Sequence, residues 1–178
     1  LMPSYLLKIW KGRYMDFHPH DYQSIAIQRI IDNTHYGLLL DMGLGKTIST
    51  LIAIDRLMYD YFDITKVLLI APKKVAESTW AQESQKWSAT RRLTVAKVLG
   101  SEKERIHALE SESDIYVINR ENVQWLYEYY HKKKSFPFDM LVIDESSSFK
   151  NPQAKRFKAI RKLRPLFKRI VILTGTPA

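Results

Sequence analysis

The segment from Tyr36 to Thr47 constrains this chain more than any other. An apolar run ending in Leu39-Leu40 passes through Asp41-Met42-Gly43-Leu44-Gly45 into Lys46-Thr47, and Ile48, Leu51, Ile52 and Met58 follow at helical spacing. A buried strand, a glycine turn and an amphipathic helix in that order make a phosphate cradle. Gly43 and Gly45 allow backbone N–H groups to approach an anion without a Cβ in the way, at a helix N-terminus whose dipole favours negative charge. In such a cradle Met42 to Thr47 wrap the phosphates, Lys46 reaches the β- and γ-phosphates, and Thr47 ligates Mg²⁺. The strict pattern has a further glycine where this chain has Leu40. Taken alone, the motif is therefore also compatible with a strand-to-helix turn carrying an incidental lysine.

Short β-branched or leucine-rich runs alternate with amphipathic stretches throughout, the pattern of βα units around a parallel sheet. The expected fold class is α/β, with helices on both faces of a mainly parallel sheet. The spacing predicts strands at Tyr36 to Leu40, Lys66 to Ala71, Thr94 to Leu99, Asp114 to Asn119, Met140 to Asp144 and Arg169 to Leu173. His20 to Asp32 reads as a helix with Tyr22, Ile25, Ala26 and Ile30 on one face. Further helices are expected near Val75 to Trp87, behind a Ser101/Glu104 capping box, at Glu121 to His131 and at Gln153 to Leu163. The last is basic and amphipathic, with Phe157, Ile160 and Leu163 inward. Lys132-Lys133-Lys134 reads as a solvated loop. A length of 178 residues fits one domain over 1–178, with no repeat, low-complexity tract or linker.

There is no cysteine, so a disulfide framework and a thiolate metal site are both excluded, and the five histidines show no ligand spacing. No apolar run approaches the roughly 20 residues that span a bilayer, and no signal peptide is recognisable. The expectation is a soluble, cytoplasmic protein without a membrane partner. Lys plus Arg number 28 against 19 Asp plus Glu, a net charge of +9. The excess is uneven: from Ser146 to Ala178 there is no acidic residue, while Lys150, Lys155, Arg156, Lys158, Arg161, Lys162, Arg164, Lys168 and Arg169 all fall there. Such a block points to a polyanion partner, or to a solvated helix face.

Leu141-Val142-Ile143-Asp144-Glu145 is a buried strand that delivers two carboxylates at its C-terminal end, where open α/β sheets place their ligands. Beside a phosphate cradle, the first carboxylate holds Mg²⁺ and the second can polarise the water that attacks the γ-phosphate. Leu173-Thr174-Gly175-Thr176-Pro177 closes the last strand with two hydroxyls, which could bond the Asp144-Glu145 loop and transmit nucleotide state.

Met42 to Thr47, Asp144-Glu145 and Leu173 to Pro177 resemble motifs I, II and III of superfamily 2 helicases, and specifically those of the Swi/Snf-like DNA translocases. Ser78-Thr79-Trp80-Ala81-Gln82-Glu83 with Trp87 is similar to that branch's motif Ia helix, and Lys150-Asn151 followed by Lys155 to its motif II extension. The resemblance implies the first RecA-like lobe of an ATP-driven translocase on double-stranded DNA, with ATP and Mg²⁺ as cofactors. Its compactness points to a bacterial or phage source. Tyr22-Gln23 matches the family's N-terminal Tyr-Gln, which implies that Gln23 reads the adenine edge. It also implies that Pro72, Lys73 and Lys74, together with Asn119 and Arg120 of motif Ib, lie beside the nucleic-acid backbone, and that Thr174 and Thr176 couple the two sites. Trp80 and Trp87 are read as core anchors rather than base-stacking platforms.

Two departures stand out. Ser146-Ser147 replaces the family's Gly-His, and the 178 residues contain no second RecA-like lobe with its arginine finger. The lobe alone is therefore expected to turn ATP over very slowly. Rival readings are the motor of an RNA helicase or restriction-type nuclease, and a non-catalytic nucleotide-binding lobe used for docking.

Overall fold

Val67–Ala71, Ile115–Asn119 and Met140–Asp144 have every position buried, as strands sandwiched between helices on both faces must. In the computed structural model, which describes residues 14–41, 43–144 and 155–175, these are β2, β4 and β5. They join β1 (His35–Leu39), β3 (Val95–Val98) and β6 (Arg169–Thr174). All six strands are parallel, in the order β1-β6-β5-β2-β4-β3.

Alternation along each strand divides the core in two. Leu38, Val67, Leu69, Met140, Val142 and Val171 face α1 (Asp21–Asp32), α2 (Lys46–Tyr59) and α3 (Trp80–Lys86). Leu68, Ile70, Tyr116, Leu141 and Ile143 face the opposite way, toward α4 (Glu102–Glu110), α5 (Val123–Lys133) and α6 (Lys155–Leu163). One helix, α2, runs through the centre of its layer, with ten of its fourteen residues buried. The fold is the expected three-layer α/β arrangement, and parallel strands put every strand-to-helix loop that could carry chemistry on one edge.

Four expectations change. The strand before the glycine turn, expected to be buried, is the edge strand β1, in which Leu38 alone is buried and Leu39 is 58% exposed. The inner face of α1 is Gln23, Ala26, Ile27, Ile30 and Ile31, a true i, i+3, i+4, i+7, i+8 stripe. Ile25 is 60% exposed, and Tyr22 stacks on His20 at 5.6 Å instead of packing inward. Lys132 and Lys133 form the last turn of α5, where cations complement the helix dipole. Lys133 lies over the Tyr129 ring one turn back, and only Lys134, with φ of 51°, leaves the helix. The expected helix near Val75 to Trp87 begins as a π-helical turn, Val75–Thr79, before α3 proper. The Ser101/Glu104 capping box of α4 is present as expected. Among the described residues no helix is long and apolar enough to cross a membrane.

Candidate functional site

The turn after β1 depends on two glycines in the left-handed region, Gly43 at φ +83° and Gly45 at φ +81°. At Gly43 an added Cβ would meet nothing, so the left-handed backbone angle alone is what disfavours other residues there. At Gly45 a Cβ would also collide with Nε2 of Gln23. Gln23 is only 6% exposed, which rules out an idle polar residue on a solvated helix face. Its Oε1 accepts from the His20 N–H at 2.9 Å and its Nε2 donates to the Leu44 carbonyl at 3.2 Å. It thus ties the start of α1 to the cradle. Lys46 opens α2, and its Nζ donates to the carbonyls of Leu40 at 2.6 Å and Asp41 at 3.0 Å. An ammonium has three donors, so one remains to point outward. Thr47 is half-buried in the first turn.

Strand register brings the separate motifs together. Leu39 pairs with Thr174, and Leu173 with Asp144, so the end of β6 lies between the cradle and Asp144. The Leu40 N–H continues the ladder to the Thr174 carbonyl at 3.3 Å. With strands about 4.8 Å apart, the ends of β1 and β5 are separated by about 10 Å. Thr174 is the residue between them. Asp144 is 9% exposed and follows Met140 and Val142 toward the α1–α3 layer, where its Oδ2 accepts from the indole Nε1–H of Trp80 at 3.0 Å.

The next strands along the same edge carry the expected nucleic-acid residues. Lys73 and Lys74 are exposed just beyond β2. Asn119, at the end of β4, is 7% exposed. Its Nδ2 donates to Glu121 at 2.7 Å, and its Oδ1 accepts from Asn122 at 2.6 Å. Arg120 is half-buried in the 3₁₀ turn that follows, Arg120–Asn122. Met42, Glu145 and Thr176 lie outside the described residues, as do Ser146-Ser147 and Lys150-Asn151. No group of three or more His, Cys, Asp or Glu side chains forms a metal cage among the described residues.

Two roles were not legible in the motifs. Trp80 is a fully buried anchor, as expected, but it also bonds the key carboxylate. A buried indole N–H needs an acceptor, and that requirement was the available signal. Trp87, just past the end of α3, bonds Glu83 in that helix at 2.8 Å and packs edge-on against Phe17. The bracing of the cradle by Gln23 had no signal in sequence, since it depends on how α1 docks.

Residues 20–178 match the SNF2-related domain family. Protein p41 of Acyrthosiphon pisum secondary endosymbiont phage 1 is 34% identical over 168 residues, covering 91% of this chain and 36% of that protein, in keeping with the phage or bacterial source expected. The chromatin remodeling factor mit1 of Schizosaccharomyces pombe is 31% identical over 157 residues, covering 81% of this chain and 10% of that protein. Among solved structures, the Sulfolobus solfataricus SWI2/SNF2 ATPase core in complex with dsDNA superposes with a TM-score of 0.74 at 28% identity. The superposition covers 93% of this chain and 34% of that one. The chain thus spans about a third or less of the proteins it matches, and along nearly its whole length it belongs to the SNF2-related domain family.

Proposed function

We propose that this chain is the ATP-binding lobe of an ATP-driven translocase on double-stranded DNA. The observation that supports it best is the register that sets the Gly43–Lys46 turn, Thr174 and Asp144 side by side at one edge of the sheet. The residues fit a magnesium nucleotide. Nothing lies within 4 Å of where a Cβ would stand at Gly43, so the backbone there is open to an approaching anion, and the ligands on offer are hard oxygens, the Thr47 hydroxyl and the Asp144 carboxylate. Among the described residues no acidic cage forms, and a pair of hard oxygens suits Mg²⁺, which keeps waters and phosphate oxygens as its other ligands.

In this reading the backbone of Met42 to Thr47 cradles the phosphates and Lys46 neutralises the charge that develops on the β- and γ-oxygens. Thr47 and Asp144 would hold Mg²⁺, which stabilises that charge. Glu145 orients the attacking water. Thr174, at the strand end between the cradle and Asp144, would report nucleotide state together with Thr176 toward Lys73 and Lys74, which meet the DNA backbone. The Asn119-Arg120 turn lies next along the edge, and with the Asn119 amide committed to Glu121 and Asn122, Arg120 is the cation there to face phosphate. Gln23 spends one Nε2–H on the Leu44 carbonyl and one Oε1 lone pair on the His20 N–H, so adenine recognition would use its remaining N–H and lone pair, which links base binding to the shape of the cradle. A second RecA-like lobe completes the site from the other side of the nucleotide.

The test is ligand-dependent stability. A ligand that binds only the folded chain stabilises it by RT ln(1 + [L]/Kd), about 2.7 kcal/mol at a hundredfold excess over Kd. ATP with Mg²⁺ at millimolar concentration is expected to raise Tm, and Lys46→Ala to abolish the rise, measured from the variant's own ligand-free Tm because Lys46 also bonds the Leu40 and Asp41 carbonyls. No rise in the native chain would favour a docking lobe that has lost nucleotide binding.

A further inference from the structure

We infer that Trp80 is a positioning residue for Asp144, holding the carboxylate in the orientation from which it would meet Mg²⁺. This inference rests on the nucleotide-site reading above. Trp80 is wholly buried and Asp144 nearly so, and their 3.0 Å bond joins the first residue of α3 to the last residue of β5. Trp80 and Asp144 are 64 residues apart in the chain, so the bond is a tertiary choice and not a by-product of helix geometry.

An indole is suited to this task because it is a donor only. It can fix one carboxylate oxygen but has no lone pair with which to compete for a cation, as a serine, histidine or glutamine in its place would. The backbone leading to it is also special. The π-helical turn Val75–Thr79 directly precedes Trp80, with Ala76 packed beneath. Such single π turns occur frequently at functional sites. Trp87, the extended residue directly after α3, supplies the contrast: its indole bonds Glu83, four residues back, at 2.8 Å, a local pairing. Removing a partner that orients a metal-binding group typically costs tenfold to a hundredfold in metal affinity.

The experiment measures the affinity of the chain for a fluorescent ADP analogue, first in EDTA and then across a Mg²⁺ series. In Trp80→Phe the affinity in EDTA should match the native chain, because Lys46 and the glycine turn are untouched. The Mg²⁺ concentration needed for half of the metal-dependent gain should rise about tenfold or more. Replacing Trp80 by benzothienylalanine, which keeps the ring shape and has sulfur where the N–H was, should do the same and decides the matter if the phenylalanine variant fails to fold. Trp87→Phe should leave the Mg²⁺ requirement unchanged. Asp144→Asn should remove Mg²⁺ dependence altogether. If it does not, the nucleotide-site reading fails. If it does, while the benzothienylalanine variant keeps the native Mg²⁺ requirement, Trp80 only fills space and the inference is overturned.

Discussion

At the N-terminal edge of the sheet three aspartates clip the strands together, whereas at the C-terminal edge the polar groups bond within and between the loops that follow the strands, and two lysines stand exposed. Before β5, Asp139 accepts from the N–H groups of Thr65 and Lys66 at 2.7 and 3.1 Å and from the Thr65 hydroxyl at 3.0 Å, tying β5 to β2. Before β4, Asp114 accepts from the Thr94 N–H and hydroxyl at 2.8 and 2.9 Å and from the Tyr59 hydroxyl at 2.8 Å, tying β4 to β3. Burial, reinforced by that bond, pushes the Tyr59 hydroxyl up to about 12. Before β2, Asp63 bonds Lys168 and Arg169 at the start of β6, and Arg169 also donates to the carbonyls of Ile30 and Ile31 at the end of α1. These carboxylates are used up by the scaffold. Across the sheet, Lys73 and Lys74 are exposed and Lys46 keeps a donor in reserve. One edge is stitched by carboxylates, and the other carries the candidate site.

The comparison breaks most visibly if the clips are not clips. Asp139→Ala removes three bonds to a charged acceptor and leaves two backbone N–H groups without it. It should lower unfolding free energy by about 3 kcal/mol, read as a reduced urea midpoint. The affinity of the folded chain for nucleotide should not change. A stable variant with weakened nucleotide binding would mean that the two edges are not separable in this way.

A smaller effect, with a distinctive pH dependence, is expected at Asp63. The hydrogen bond from Lys168, followed by that from Arg169, holds its carboxyl below the usual carboxylate range. A depressed folded-state value means that the contribution is fully present above the unfolded value near 4 and is lost as pH falls through the folded value. Asp63→Asn should therefore cost about 1 kcal/mol at pH 7, modest because the side chain is partly exposed. Its deficit should shrink as unfolding is measured at successively lower pH below about 4. A deficit independent of pH would assign the loss to packing.

The functional edge was far more legible in sequence than the stitched one, and for a physical reason. Gly43, Gly45, Lys46 and Asp144 would act through backbone freedom and charge at strand ends, so residue type and position along the strand are enough to nominate them. The strands themselves were legible because burial on both faces leaves continuous apolar runs such as Val67–Ala71. The clips were not, because Asp114 and Asp139 look like ordinary loop aspartates until strand order places Thr94 and Thr65 beside them. The same holds for Gln23 and Trp80, whose partners Leu44 and Asp144 lie 21 and 64 residues away. The misreading of α1 was a choice of stripe: Tyr22 and Ile25 are apolar, but the spacing from Gln23 through Ile31 is the one that turns inward.

The smallest expected effect on stability belongs to Lys73 and Lys74, and it is the sharpest test of what the open edge is for. Both side chains are exposed, so Lys73→Ala with Lys74→Ala should change unfolding free energy by no more than about 0.5 kcal/mol. If both meet phosphates, the slope of log affinity for duplex DNA against log salt should flatten by about 0.9 for each lysine–phosphate pairing removed, measured by fluorescence anisotropy across a KCl series. Asn119→Ala should leave that slope unchanged, because its amide is spent on Glu121 and Asn122 and carries no charge. An unaltered slope in the double lysine variant would move the DNA-binding surface off this half of the edge, toward the acid-free stretch from Ser146 to Ala178, where Lys158, Arg161, Lys162 and Arg164 are on the surface or at its margin.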